Sequence, residues 1–168
     1  MTQTVLKNEI TELAPRTWMD ADKRKEIADG VANILADAYR LLINTQGLHW
    51  NVEGPMFYSL HKLTEDHYRE LFESTDELAE RIRALGLPAP QSIRELSERS
   101  VLTDLPDDAK LEGRIERLVE DYEQAARRAA QLIEIAESNR DVKTADMLTE
   151  RIGVYEENAW MLRATIAS

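Results

Sequence analysis

The chain has 168 residues, 43% of them hydrophobic and 32% charged, with no cysteine, only 6 glycines and 5 prolines, and a formal net charge of −11. Overall disorder, disulfides, thiolate metal sites and cysteine nucleophiles are excluded, and one domain with a sizeable core is the expectation. The acidic balance repels nucleic acid on average and favours cations.

Residues 1–19 read as an N-terminal arm, and residues 20–168 as the folded domain. The opening MTQTVLKNEITEL lacks the apolar core of a signal peptide, and no apolar run is long enough for a membrane span. A reducing, cytoplasmic setting is expected. The first long helix is predicted from Asp20 to His49–Trp50, on the recurrence of Ile27, Val31, Ile34, Ala38, Leu41, Thr45 and Leu48 at three- and four-residue spacings. The segment Asn51-Val52-Glu53-Gly54-Pro55 breaks it, and Pro55 can open the next helix. That second helix is predicted over 56–85. Phe57, Leu60, His61, Leu63, Leu71, Leu78, Ile82 and Leu85 are assigned to its core-facing side, with Gly86 and Pro88 as its stop. Residues 87–106 form a crossing connection with a short helical piece, SIRELSE. A third long helix is predicted over 107–137 and a fourth over 142–166, separated by polar SNRD at 138–141. The fold class is therefore all-α, a four-helix bundle with a long crossover containing a short helix.

His49 and His61 flank the glycine-containing turn, so they can approach each other across the first two antiparallel helices. Asp76 and Glu80 are one helical turn apart and face the same way. Yet His61 and Asp76 are ~22 Å apart along an unbroken helix, at ~1.5 Å per residue. Metal–ligand contacts are only ~2 Å. One chain therefore offers two half-sites, and a two-fold axis crossing the second helix would join them into two composite sites. Glu65, one turn beyond His61, could hold a second ion. Imidazole with carboxylate suits iron, manganese or zinc better than copper(I), and open positions would let ferrous iron meet an oxidant. Each residue also has an ordinary reading. Either histidine can be a cap or a buried hydrogen-bonding group, and Asp76 and Glu80 can be a solvated helix face. Trp50 can simply pack. His67, about 240° round the helix from His61, keeps a structural role.

The run from His49-Trp50-Asn51 through Gly54-Pro55-Met56-Phe57-Tyr58-Ser59-Leu60 to His61, and its spacing to Asp76-Glu77-Leu78-Ala79-Glu80, resemble the Dps family of ferritin-like mini-ferritins. Thr144-Ala145-Asp146-Met147-Leu148-Thr149 and Trp160-Met161-Leu162 are similar to it too. The resemblance implies a dodecameric homo-oligomer of tetrahedral symmetry with ferroxidase centres at its two-fold interfaces, histidines from one subunit and carboxylates from the other. His49, His61, Asp76 and Glu80 match the catalytic and metal-binding positions, Glu65 the supporting acid, and Trp50 a candidate redox-active aromatic. Iron is implied as the bound metal, two ions per centre being possible, with no organic cofactor. The implied activity is oxidation of ferrous iron, preferentially by hydrogen peroxide, with storage of the ferric product and protection of DNA. Asp146 matches a position at an acidic three-fold pore. Glu156 falls where the family often has a carboxylate, and Asp141 is a neighbour; converging carboxylates would attract ferrous ions. The E-x-x-H pattern of intrachain di-iron bundles does not occur, which favours the interfacial site. The rival reading is a DNA-compacting structural protein with weak or incidental iron oxidation. Against it, the arm holds one lysine and one arginine beside two glutamates. Twelve copies would carry 12 × (−11) = −132, so direct phosphate affinity should be weak and nucleoid association secondary.

Overall fold

A computed structural model describes residues 17–167, so most of the expected 1–19 arm lies outside the described residues. Among the described residues there are five helices and no strand: α1 Ala21–Asn51, α2 Phe57–Ala84, α3 Ile93–Arg99, α4 Leu111–Ser138 and α5 Val142–Ile166. None is long and apolar enough to cross a membrane. The all-α bundle with a crossover is the architecture expected from the periodicity.

The side-chain contacts define the direction of each helix. Asp37, Asn44 and Thr45 of α1 meet Arg128, Asp121 and Tyr122 of α4. The numbers rise on one helix as they fall on the other, so α1 and α4 are antiparallel. Glu70 and Arg81 of α2 meet Arg151 and Asp141 at α5 and its cap in the same reversed order. The short turn at 52–56 reverses the chain between α1 and α2, bringing His49 back against His61, so α1 and α5 run one way and α2 and α4 the other. The crossover must travel the length of the bundle to restart α4 in the direction of α2. It does so along α1: Arg99 bonds Asn33, Val101 bonds Asp37, and Thr103 bonds Asn44.

Asp37 pins this connection. Its fully buried carboxylate accepts from the Ser100 hydroxyl at 2.8 Å, the Val101 amide at 3.0 Å and Arg128 Nη1 at 2.8 Å. Arg128 also donates to the Arg99 carbonyl at 3.1 Å. A buried charge is tolerated when it is paired and every lone pair is used, and this one ties α1, α4 and the crossover together.

The helix ends follow local chemistry. After α2, the Gly86 amide bonds the Arg83 carbonyl and the Leu87 amide bonds the Ile82 carbonyl. Gly86 has φ +96°, the left-handed turn that glycine enters without strain. An identical pattern ends α4, where Arg140 and Asp141 amides bond Glu137 and Ala136 carbonyls. Here Arg140 takes the left-handed position at φ 60°, which costs a side-chain-bearing residue about 1 kcal/mol. Asp141 then caps α5, accepting from the Thr144 amide at 3.1 Å.

Two expectations need correction. The third long helix starts at Leu111 rather than 107, because Pro106 is followed by a turn through Asp107 and Asp108 and by extended Lys110. Phe57, assigned to the core, is 47% exposed; its ring lies against His61 at the surface instead of under α2.

Candidate metal centre

His49 occupies the last turn of α1, and His61 the second turn of α2. The intervening turn, with Gly54 at φ +88°, folds the two helix ends together. His49 Nδ1 donates to the His61 carbonyl at 2.9 Å, and His61 Nδ1 donates to the His49 carbonyl at 3.1 Å. A carbonyl can only accept, so in each neutral ring the proton sits on Nδ1 and the lone pair on Nε2. Metal-binding imidazoles are prepared in this way, with the second nitrogen held by a backbone acceptor that fixes tautomer and orientation. The rings stack 3.8 Å apart at 17°. Phe57 stacks on the outer face of the pair at 5.1 Å from His61, and Tyr68 packs edge-on to His49 at 5.1 Å. The Thr64 hydroxyl lies 3.3 Å from His49 Nδ1 while donating to the Leu60 carbonyl. His49 is buried and His61 half-buried.

Asp76 and Glu80 are exposed on α2. The helix is unbroken between His61 and Asp76, so the ~22 Å separation stands. Among the described residues, no three His, Asp or Glu side chains of one chain are grouped to hold a metal. His61, Glu65, Phe72 and Asp76 nevertheless share one stripe of α2 about 60° wide, with Glu80 about 40° further round. Glu65 accepts from Lys62 at 2.7 Å and pairs with Arg69 at 2.5 Å. The Lys62 hydrogen bond, helped by the Arg69 charge, holds its carboxyl below the usual range. Trp50 is 69% exposed and Phe72 is 65% exposed. With Ile43, Phe57 and Tyr58, also exposed, they give the α1–α2 face an apolar surface unusual for a lone subunit.

The pore candidates are not brought together in one subunit. Asp141 is buried, 2.6 Å from Arg81 Nη2 and engaged as the α5 cap. Desolvation pushes its carboxyl up; Arg81 and Thr144 outweigh that and hold it below the ordinary range. Asp146 is exposed on the first turns of α5, 3.8 Å from Lys143. Glu156 lies ~15 Å further along the helix, in a pocket with Arg127, Trp160 and Arg163.

Sequence reasoning missed three supports of the centre: Thr64, Tyr68 and the Phe57 ring stack. The spacing does carry a signal for one of them. Tyr68 is seven residues from His61 and therefore, two turns on, on the same face of α2. Nothing local marked the crossed backbone bonds of the two histidines.

A family model described as the ferritin-like domain matches residues 29–168. A DNA protection during starvation protein 2 from Bacillus anthracis is 34% identical over 143 residues, covering 83% of this chain and 96% of that one. The chain belongs to the Dps family. An uncharacterised low-temperature-induced protein of Nostoc sp. is 39% identical over 147 residues, 84% of this chain and 82% of that protein. The crystal structure of a Dps protein from Vibrio cholerae O1, described as a member of a broad superfamily of ferritin-like diiron-carboxylate proteins, superposes with a TM-score of 0.85 at 25% identity. That superposition covers 94% of this chain and 99% of that one. Within a Dps-family chain, α1, α2, α4 and α5 are the four bundle helices and α3 the short helix of the crossover.

Proposed function

We propose that this Dps-family protein oxidises ferrous iron at centres shared between two subunits and stores the ferric product inside a closed shell. The observation that carries the reading is the His49–His61 pair, each ring donating Nδ1 to the other's carbonyl and keeping an unprotonated Nε2 for a metal. A two-fold axis crossing α2 midway between His61 and Asp76 would put residue i opposite residue 137 − i. His61 would then face the partner copy's equivalent of Asp76, Phe57 that of Glu80, and Glu65 that of Phe72. The exposed apolar residues would be buried by the same contact.

The chemistry follows from the ligands. His49 and His61 anchor ferrous iron through neutral donors, and Asp76 and Glu80 supply negative charge that stabilises the ferric product. Glu65 is kept anionic by Lys62 and Arg69, and would release those partners to hold or pass on a second iron. One electron from each of two ferrous ions would reduce hydrogen peroxide, the preferred oxidant in this reading, to two hydroxide ions as its O–O bond breaks, leaving two ferric ions. Trp50, next to His49 in the sequence, would give an electron when only one iron is present. The shell is a dodecamer of tetrahedral symmetry, with Asp146 at an acidic iron entry and Glu156 as a further acid. Asp141, committed to Arg81 and the α5 cap, would contribute field rather than a ligand. DNA is protected chiefly by removal of iron and peroxide. Direct DNA contact is weak in this reading because the net charge is −11.

His49→Ala combined with His61→Ala tests the assignment. The particle mass is expected to be unchanged while fast oxidation by peroxide is abolished. Unchanged stopped-flow kinetics in that double variant would refute it.

A further inference from the structure

A second group of polar side chains lies in the bundle interior and is not used by the metal centre. His67, Tyr122, Tyr155 and Asn158 are all buried, at 3%, 0%, 0% and 5% exposure. His67, Tyr122 and Tyr155 form a connected series, and Asn158 lies one helical turn beyond Tyr155 on α5. The His67 and Tyr122 rings are 6.2 Å apart, and the Tyr122 and Tyr155 rings 5.9 Å. Arg151 Cζ sits 5.5 Å from the Tyr155 ring centre, and its Nη1 donates to Glu70 Oε1. Thr45 Oγ1 reaches the Tyr122 hydroxyl at 3.4 Å.

Five buried atoms here have no hydrogen-bond partner: Nδ1 and Nε2 of His67, Glu70 Oε2, the Tyr155 hydroxyl and Asn158 Nδ2. Buried polar atoms in folded proteins are almost always satisfied, by protein or by ordered water. Five orphans around this series point to a missing ligand rather than to five separate faults.

The chemistry of the orphans selects that ligand. The Tyr155 hydroxyl and Asn158 Nδ2 present hydrogens, as does one nitrogen of neutral His67. Glu70 Oε2 and the other His67 nitrogen present lone pairs. A divalent cation could use only the lone pairs, and the Arg151 guanidinium already supplies the positive charge beside Glu70. An anion would meet the Glu70 carboxylate. Water donates and accepts in equal number, and a buried water commonly makes about three such bonds.

We infer that the centre of each bundle is a water-binding site, in which ordered water bridges Glu70, Tyr155, Asn158 and His67, and which Arg151 closes to metal. Each subunit then carries a wet polar centre that takes no part in iron oxidation.

Crystals of the assembled protein, untreated and soaked in manganous salt with anomalous data collected, test this. The expected result is density for water within hydrogen-bonding distance of the Tyr155 hydroxyl or Asn158 Nδ2 and of Glu70 Oε2, with no anomalous peak there. Tyr155→Phe is expected to keep the fold and lose the water bound to that hydroxyl. A dry centre whose polar atoms bond only each other would overturn the inference. An anomalous peak between Glu70 and His67 would do so equally.

Discussion

Two variants that are each inactive should restore activity when they share a particle. One carries His49→Ala with His61→Ala, the other Asp76→Ala with Glu80→Ala. In a mixed dimer, one composite centre loses all four ligands and the other keeps all four. Random pairing from equal amounts makes half of the dimers mixed, so about one quarter of the wild-type centres return. A centre built within one chain would return none. The ~22 Å between His61 and Asp76 along α2 is far beyond the reach of the two side chains, which is why the two outcomes are so distinct. The substitutions are mild for the fold. Asp76 and Glu80 are exposed, and loss of the two imidazole–carbonyl bonds costs about 1 kcal/mol each. The variants would be co-expressed with different mass tags, mixed particles confirmed by native mass, and ferrous oxidation by peroxide followed by stopped flow. Confirmed mixed particles no faster than either parent would refute the shared centre.

Asp37→Ala should destabilise the subunit by about 3–5 kcal/mol, because it strands the half-buried Arg128 and frees the crossover; Glu123→Ala, which removes an exposed pair with Arg163, should cost less than about 1 kcal/mol. Denaturant titration of both variants checks the contrast, and equal losses would contradict it. Arg140→Gly should stabilise the protein by roughly 1 kcal/mol, since glycine takes the left-handed position without strain, and a lower melting temperature would count against this. Burial lowers the His67 pKa to about 4, whereas an unfolded imidazole titrates near ~6.5. Between those values the unfolded chain binds a proton that the folded one refuses, so stability falls as pH drops from ~6.5 towards 4, by about 3 kcal/mol in all. His67→Gln should flatten that part of the pH profile, and an unchanged slope would exclude His67 as its source.

The bundle helices were legible because their apolar residues recur at the helical period over two dozen residues or more. All seven residues of the predicted α1 stripe, from Ile27 to Leu48, are buried. Boundaries were legible where punctuation was strong, as at Gly86. The start of α4 was not, because the acidic residues Asp107 and Asp108 resemble a helix first turn while Pro106 and extended Lys110 delay it. Phe57 misled for another reason. Periodicity records which residues are apolar, not whether the chain or a neighbouring copy covers them. At the candidate centre, spacing alone predicted that His49 and His61 approach each other, and the structure brings those two rings together; the pairing of that half with Asp76 and Glu80 is the proposal tested above.

The amino-acid pattern by itself settled the helical class, the antiparallel approach of the two histidines and the impossibility of a four-ligand site along one helix. These follow from repeat length and rise, which are properties of any α-helix. Only the tertiary structure decided that each imidazole is tautomerically locked by the other's carbonyl, that Asp141 serves Arg81 and a helix cap, and that Asp37 fastens the crossover. Those outcomes depend on residues 12 to 91 positions apart meeting at hydrogen-bond distance, and no local periodicity encodes such a meeting.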